Sequence, residues 1–298
     1  SLKGLGHTGH KGIGWKSVFR ISDRPHVLSR AFAFKFDIKG PLGRLAYVTP
    51  TALTQEELDA LPAKAKQAHA AGLTTMLLPL RATSDVPALA AEMRQIAEHS
   101  LCLVFLRRLR RIVLRYPDGR AAHIERMAEA AAGGRLEGVP TAGVQISETG
   151  PGGEEGRQSL REFVLHAHSV ELPGGEAPCE LTLAFRAPGG RAKDGGDFPV
   201  LAEEGPTFPL FTFLPVRDVG FRFAIQGPFE LTADRSNLHG KSLRNRAMCA
   251  AIPRAFVGAL EAVPQLRGSA LPLLGREAPE ATWLAVRGRI LDSLRKVE

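Results

Sequence analysis

The residues with the clearest chemical potential lie near the start of the chain, where glycines alternate with lysines. Gly9, Gly12 and Gly14 have G-x-x-G-x-G spacing, which lets the backbone approach an anion where a Cβ atom would obstruct it. Residues 15–21 contain no glycine or proline and predict a helix. A glycine-rich loop that leads into a helix N-terminus presents free N–H groups to a phosphate. The segment therefore predicts a phosphate-binding site.

The polar side chains of this segment have two interpretations each. Lys11 and Lys16 can offset the charge of a triphosphate, but lysines beside a loop are also commonly solvated. Ser17 can hydrogen-bond a phosphate or cap the helix.

Two better-known glycine motifs do not fit. Residues 4–9 match the G-x-G-x-x-G string of dinucleotide-binding folds, but that motif needs a preceding strand and an acidic residue roughly 20 positions later. Too few residues precede Gly4 to form that strand. A P-loop needs a lysine directly after its last glycine, and Trp15 occupies that position.

The segment 9–19 resembles the lid glycine box of the GHKL ATPases, the class of gyrase, MutL, histidine kinases and heat-shock chaperones. Within that class it resembles the sacsin/NO VEIN branch, whose lid typically has the sequence GxKGIGFKSVF. This chain departs from that pattern at Trp15, where phenylalanine is usual. Further segments resemble the family in the same order along the chain: SDRPHVLS and FAFKFD at 22–37, TTMLLPL at 74–80, LVFLRRLR at 103–110, and FLP with FRFAIQ at 213–226.

The resemblance implies an α+β fold. Residues 1–132 would be the C-terminal, lid-bearing half of a GHKL (Bergerat) α/β sandwich. Residues 133–158 are rich in glycine and predict a linker. Residues 159–298 combine short strands with later helices and predict a second α+β domain, which corresponds to the family's transducer or middle domain.

The resemblance also implies an ATP-binding module, chaperone-like in the intact protein, with ATP and Mg²⁺ as cofactors. Thr74 corresponds to a threonine that contacts adenine through water, although an ordinary strand residue is the alternative. Arg235 corresponds to a catalytic arginine that reaches the γ-phosphate, and an arginine fork there would stabilise charge on a transferring phosphoryl group. A structural salt bridge is the alternative for Arg235. The phosphate-contacting residues would be Gly9, Lys11, Gly12, Ile13, Gly14, Lys16 and Ser17.

Several departures bear on activity. Ser236 replaces the family's usual glutamate beside the arginine, and His239 stands where the chaperone has glutamine. The family's magnesium-binding helix and its D-x-G-x-G adenine loop do not precede Gly4. We therefore expect an N-terminally truncated fragment that is inactive as an ATPase by itself, with the magnesium ligands outside this chain. A non-catalytic protein-interaction scaffold is the alternative function.

A run of arginines and a formal net charge of +8 raise nucleic acid as a lesser alternative. The run lacks an RNA-binding signature, and its alternation with leucine and isoleucine predicts a strand with a solvated outer face. No metal site is predicted, because His7 and His10 have no third ligand nearby. The arginines are Arg107, Arg108, Arg110, Arg111 and Arg115.

Composition places the chain among intracellular proteins, cytoplasmic or nuclear. Hydrophobic residues make up 44% of its 298 residues, enough for two cores. No apolar run is long enough to span a membrane, and no signal peptide is visible. The cysteines Cys102, Cys179 and Cys249 are odd in number and widely spaced, which is typical of a reducing compartment. Client or scaffold proteins are the expected partners besides ATP.

Hydrophobic periodicity and turn residues predict the elements that would position these residues. Strands or hairpins are predicted at 26–38, 47–50, 73–80, 110–115, 163–166, 180–185, 208–214 and 220–226. Helices are predicted within 55–71 and 86–106, at 243–260 with an interruption at Pro253, and at 279–295.

Overall fold

The computed structural model describes residues 14–127, 140–187, 206–275 and 280–296. The chain divides into two compact units, Ser1–Leu89 and Ala90–Glu298, here called unit 1 and unit 2. The division lies inside a helix, Val86–Glu98. Both units combine helices with antiparallel strands, which confirms the predicted α+β class. No helix in the described ranges is long and apolar enough to cross a membrane.

Unit 1 is built on a four-stranded antiparallel sheet with the order β3-β2-β1-β4. A two-residue turn joins β1 to β2, with Arg30 at a φ of 53°. A capping box begins the first helix: Thr54 Oγ1 accepts from the Glu57 amide at 3.2 Å, and Glu57 Oε2 accepts from the Thr54 amide at 3.0 Å. The elements are a 3₁₀ helix Gly14–Arg20, β1 His26–Ser29, β2 Phe32–Lys35, a 3₁₀ helix Gly43–Tyr47, β3 Thr51–Ala52, α1 Gln55–Asp59, α2 Ala63–Ala70 and β4 Thr75–Leu77.

Unit 2 is built on an eight-stranded sheet with the order β11-β10-β12-β9-β8-β7-β6-β5. Its strand pairs are antiparallel except for the parallel pair β10 and β12. The strands are β5 Arg111–Arg115, β6 Ala121–Met127, β7 Thr141–Thr149, β8 Glu155–Val170, β9 Cys179–Arg186, β10 Pro209–Thr212, β11 Leu214–Asp218 and β12 Ala224–Gln226. The helices are α3 Val86–Glu98, shared with unit 1, α4 Cys102–Phe105, α5 Leu243–Ala262, α6 Ala270–Leu273 and α7 Ala281–Leu294, with 3₁₀ turns at Pro173–Gly175 and Pro264–Ser269.

Both faces of the unit 2 sheet contribute to a hydrophobic core, because successive side chains on a strand point to opposite faces. On one face, Val164 packs with α5 and α7 around the aromatic cluster Phe185, Phe221, Phe223, Phe256 and Trp283. On the other face, Phe163 packs with residues of α4, including the fully buried Leu103. Buried on both faces, the sheet is the structural centre of unit 2.

Three expected elements differ in the structure. The strand expected at 47–50 is wrong: the chain forms a 3₁₀ helix at Gly43–Tyr47, which begins at a glycine with a φ of 50°. Pro253 does not interrupt α5, which runs continuously from Leu243 to Ala262. The helix expected over 86–106 is two helices, α3 and α4.

The segment expected as a linker, 133–158, is largely strand in its described part. Its residues 141–149 belong to β7 and 155–158 to β8, so the glycine-rich sequence after Thr149 is a short hairpin turn. The Gly150 amide donates to the Glu154 carbonyl at 3.0 Å and closes that turn. The compact units also divide at Leu89/Ala90 rather than around residues 133–158. Residues 128–139 lie outside the described part.

Phe256→Ala tests the aromatic core of unit 2. Phe256 is fully buried and contacts Phe185 and Phe223 with ring centroids 6.0 and 5.2 Å away. We expect its truncation to lower the free energy of unfolding by about 3–5 kcal/mol, measured by urea titration with Trp283 fluorescence. Leu243→Ala on the exposed side of the same helix is the control and should change stability by less than about 0.5 kcal/mol. Equal effects of the two substitutions would contradict the packing described.

Candidate nucleotide-binding site

Aromatic side chains hold the 3₁₀ helix Gly14–Arg20 against the sheet of unit 1. The rings of Trp15 and Phe19 lie 5.5 and 6.2 Å from the ring of Phe36, and Phe19 also contacts Tyr47 at 4.8 Å. Phe19 is buried, whereas Lys16 and Ser17 are exposed. The helix therefore buries its aromatic side and presents a lysine and a serine outward, directly after the glycine box.

A second anchor of this helix is Arg81, which follows β4. Its Nε donates to Asp23 Oδ1 at 2.6 Å, and its Nη2 donates to the backbone carbonyl of Phe19 at 2.8 Å. Asp23 also forms an ion pair with Lys39 at 2.5 Å. The hydrogen bond from Lys39, followed by that from Arg81, holds the pKa of the Asp23 carboxyl below its usual value. The end of β4 is thus bound to the C-terminal end of the 3₁₀ helix.

One face of the unit 1 sheet is apolar and open. Val27 on the central strand lies opposite Phe34 on one side and Met76 on the other, so the three side chains share a face. Met76 is 58% exposed, and Phe32 at the end of the same row is 69% exposed. Thr74, two residues before Met76, has its Oγ1 2.7 Å from Ser29 Oγ. A pair of hydroxyl groups therefore lies at one end of the open face.

The 3₁₀ helix lies at the other end of that face. Phe36 contacts Phe34 with ring centroids 5.8 Å apart, which places the aromatic anchor beside the open face. The Arg81 amide donates to the Ile21 carbonyl at 3.1 Å, beyond the Leu77 end of β4. Because a strand rises about 3.3 Å per residue, Thr74 and Leu77 are about 10 Å apart along β4. The hydroxyl pair and the helix border one face from opposite ends.

A polar group is buried on the opposite, covered face of the same sheet. His26 is only 8% exposed, and its Nδ1 has no hydrogen-bond partner within the described part of the chain. Directly across the strand pair, Lys35 forms an ion pair with Glu57. The hydrogen bond that Lys35 donates within this ion pair, together with the one from the Thr54 amide, lowers the pKa of the Glu57 carboxyl. Burial lowers the pKa of His26, and the nearby Glu57 charge opposes the shift only in part.

Arg235 lies in unit 2, in the loop between β12 and α5. Its φ is 61°, a left-handed conformation that is uncommon outside glycine. Its Nη2 is buried without a hydrogen-bond partner, and in the described part of the chain Arg235 forms no ion pair. The neighbouring Asp234 accepts from the hydroxyls of Thr232 and Ser236, at 2.6 and 2.7 Å, which lowers its pKa to about 2. The salt bridge considered from sequence is thus not found among the described residues.

The structure describes five of the predicted site residues and brings four of them into one unit. Gly14, Lys16 and Ser17 begin the 3₁₀ helix, and Thr74 borders the same open face in unit 1. Arg235 belongs to unit 2. The remaining predicted residues, Gly9, Lys11, Gly12 and Ile13, lie outside the described part.

Sequence reasoning missed the residues that position the helix. Phe36 and Asp23 lie in segments that carry the family resemblance, and Arg81 directly follows another such segment. Their roles depend on contacts between distant parts of the chain, such as the bond from Arg81 to the Phe19 carbonyl. The nearest sequence signal is that each adjoins a motif of the family.

The arginine run lies at and before β5, the edge strand of the unit 2 sheet. Arg111 and Arg115 are exposed while Leu114 is buried, which confirms a strand with a solvated outer face. Arg111 pairs with Glu125 on β6 at 3.1 Å. The guanidinium of Arg107 lies 5.8 Å from the ring centroid of Phe213. Two of these arginines therefore already have partners within the protein.

Comparison with known proteins shows a similarity over most of this chain. Over 264 residues, 86% of this chain, the sequence is 30% identical to Protein NO VEIN from Arabidopsis thaliana. The chain spans 9% of the length of that protein. No protein family model matches the chain, and no solved structure matches it. The chain is thus related to a segment of Protein NO VEIN, in agreement with the NO VEIN part of the resemblance seen in its motifs.

Arg81→Ala tests the anchor of the 3₁₀ helix. The substitution removes the hydrogen bonds to Asp23 and to the Phe19 carbonyl, so we expect unit 1 to lose about 1–2 kcal/mol of unfolding free energy. The measurement is urea unfolding followed by Trp15 fluorescence in a Trp283→Phe background. Arg44→Ala, which removes an exposed arginine of the same unit, is the matched control. If both variants unfold at the same urea concentration, Arg81 does not anchor the helix.

The buried His26 predicts a pH-dependent stability of unit 1. Its pKa in the folded state lies below the unfolded value of about 6.5, so the unfolded state binds more protons as the pH falls. The stability is therefore full above about pH 6.5 and declines below it, by at most about 1.4 kcal/mol per pH unit. We expect His26→Gln to flatten the dependence between about pH 5 and 7, measured with the same Trp15 reporter. An unchanged slope in that variant would assign the dependence to other groups.

Proposed function

We propose that this chain is part of an ATP-binding module of the sacsin/NO VEIN-type GHKL class and acts within a longer polypeptide. The observation that carries the proposal is the open face of the unit 1 sheet, bordered at one end by Thr74 and at the other by the helix with Lys16 and Ser17. The motif resemblance and the similarity to a segment of Protein NO VEIN support it.

The Thr74 end of the face suits a purine. A purine ring is flat and apolar on its faces and polar at its edge, and small-molecule sites combine apolar walls with a few oriented polar groups. Met76 and Phe34 offer the apolar surface, and the Thr74–Ser29 hydroxyl pair offers the polar edge. Adenine at this end would direct the phosphates toward the Leu77 end of the strand, about 10 Å away, where the 3₁₀ helix borders the face.

The other end of the face suits phosphates. Lys16 provides an exposed positive charge, and Ser17 provides a hydroxyl on the exposed side of the helix. Among the residues that the structure describes, the buried indole Nε1 of Trp15 has no hydrogen-bond partner and is a further available donor. In this proposal Gly9, Lys11, Gly12, Ile13 and Gly14 complete the phosphate contacts through their backbone N–H groups and the Lys11 side chain.

Arg235 would act on the γ-phosphate in the intact protein. An arginine held near a transferring phosphoryl group stabilises the charge that develops there. The unpartnered Nη2 and the left-handed backbone of Arg235 support a role beyond a structural ion pair. Within the described residues no group of three or more His, Cys, Asp or Glu could hold a metal ion. Because the family's magnesium-binding helix is not found in this sequence, the proposal assigns the Mg²⁺ ligands to other parts of the longer protein, where ATP turnover would drive a chaperone-like conformational cycle.

Backbone NMR of this chain with ATP, AMP and tripolyphosphate tests the proposal. We expect ATP to shift the amides of residues 14–17 and of Thr74 with a dissociation constant of about 1 mM. Weak binding is expected because the family's main adenine and magnesium motifs are missing from this chain. Tripolyphosphate should shift only residues 14–17, and AMP should shift mainly Thr74 and its neighbours.

Two variants make the test specific. Lys16→Ala should weaken tripolyphosphate binding several-fold, whereas Lys64→Ala, an exposed lysine on α2, should leave it unchanged. Gly12→Trp combined with Gly14→Trp should abolish the shifts at residues 15–17. If neither ATP nor tripolyphosphate shifts the described members of the site, the nucleotide proposal fails and the scaffold alternative is favoured.

A further inference from the structure

A surface cavity of about 660 Å³ lies in unit 2, between the C-terminal half of β8 and the helices α5 and α7. It belongs entirely to unit 2 and is independent of the nucleotide proposal. The side chains that define its chemistry are His166, His168, Arg254, Glu261, Ser293 and Lys296.

The strand pattern places two histidines where core residues would be expected. Val164 and Val170 on β8 are 1% and 4% exposed and pack in the main core of unit 2. His166 and His168 occupy the two intervening positions on the same face, opposite Leu183 and Leu181 of β9. The face of β8 is therefore apolar at both ends and carries imidazoles in its middle. This pattern indicates that the hydrophobic core is interrupted at the two histidines by the cavity.

Helix α5 leaves room for these histidines. Gly258 faces His166 so closely that a Cβ atom there would lie 3.2 Å from His166 Nε2. Glycine in the interior of a helix is less favourable than alanine by about 1 kcal/mol. Arg254 and Glu261 lie one turn before and one turn after Gly258, on the same side of the helix. The helix thus carries a glycine at the position where a larger side chain would crowd the His166 ring.

The cavity carries an excess of positive charge. Arg254 and Lys296 are exposed, and no salt bridge or side-chain hydrogen bond of either occurs in the described ranges. Among the described lining residues Glu261 is the one acidic side chain, so the formal charge of the described lining is +1 with neutral histidines and +3 with both histidines protonated. The Ser293 hydroxyl donates to the Arg289 carbonyl at 2.8 Å and can still accept.

We propose that this cavity binds a small phosphate monoester through Arg254, Lys296 and the two histidines. A phosphate monoester is close to a dianion at neutral pH and offers three strong acceptor oxygens. Two permanent cations with two titratable imidazoles match that charge better than they match a carboxylate, which carries a single negative charge. Arginine and lysine donors to phosphate oxygens form charge-assisted hydrogen bonds.

Histidine titration provides a direct readout. In the free protein, burial lowers the pKa of His166, and the neighbouring His168 lowers it further. A bound dianion favours the protonated imidazole, so saturating ligand should raise the pKa of His166. The groups that face it are His168 on its own strand, Arg254 and Glu261 on α5, and Lys296 after α7.

The experiment is an NMR titration of the histidine ring protons with inorganic phosphate and with glycerol phosphate, at constant ionic strength, with acetate as the control anion. We expect saturable shifts of His166 and His168 with a dissociation constant of about 1 mM, and a raised pKa of His166. Arg254→Gln should weaken phosphate binding about tenfold. Arg246→Gln, an exposed arginine on the same helix, should leave the dissociation constant unchanged.

A pair of glycine variants tests whether phosphate binding depends on the space that Gly258 leaves beside His166. Gly258→Ala should weaken phosphate binding several-fold because its methyl group crowds His166. In Gly288→Ala in α7 the added methyl group meets no atom of the described residues within 4 Å, so this variant should have no effect. Equal shifts with acetate and phosphate, or equal losses in Arg254→Gln and Arg246→Gln, would show general screening and overturn the proposal. Because the signals come from His166 and His168, the result is separate from any shift at residues 14–17.

Discussion

The alternation of side chains along the strands is the constraint on which both units depend. In unit 1, His26 and Leu28 face the covered side of the sheet while Val27 and Ser29 face the open side. In unit 2, Phe163 and Val164 are adjacent on β8 yet belong to two different cores. A shift of one residue in register would exchange the two faces. The candidate sites occupy face positions that the cores do not use: the open face of unit 1, and the histidine positions of β8.

The 3₁₀ helix after the glycine box cannot be stable by itself, since short helices gain too few hydrogen bonds to offset the cost of nucleation. Its position comes from tertiary contacts: Trp15 and Phe19 against Phe36, and Arg81 against the Phe19 carbonyl. Phe36 follows β2 and Arg81 follows β4, so these contacts come from two separate parts of the chain. The polar residues of the helix are therefore only as well positioned as the unit 1 sheet that supports them.

Local patterns predicted the elements whose periodicity is strong, such as the hairpin at 26–38 and the strands near 73–80 and 110–115. They failed where one local sequence permits two structures: the glycine-rich stretch after Thr149 is a hairpin turn rather than a linker, and Pro253 lies within an unbroken helix. The glycines and lysines of the candidate site could be predicted from the sequence, because they lie close together in one short motif. The Arg81 anchor and the burial of His26 were not, because each depends on partners distant in sequence.

The distribution of positive charge also follows from the architecture. In the described sheet, β5 and β11 are the edge strands, and exposed edges invite pairing with other chains. Charged side chains and proline protect such edges: Arg111 and Arg115 line β5, and Pro215 and Arg217 lie in β11. Edge protection thus accounts for part of the arginine run without a nucleic-acid partner. Lys16 and Arg254 are exposed beside the open face of unit 1 and the cavity of unit 2, and there we propose small anions rather than an extended polyanion as ligands.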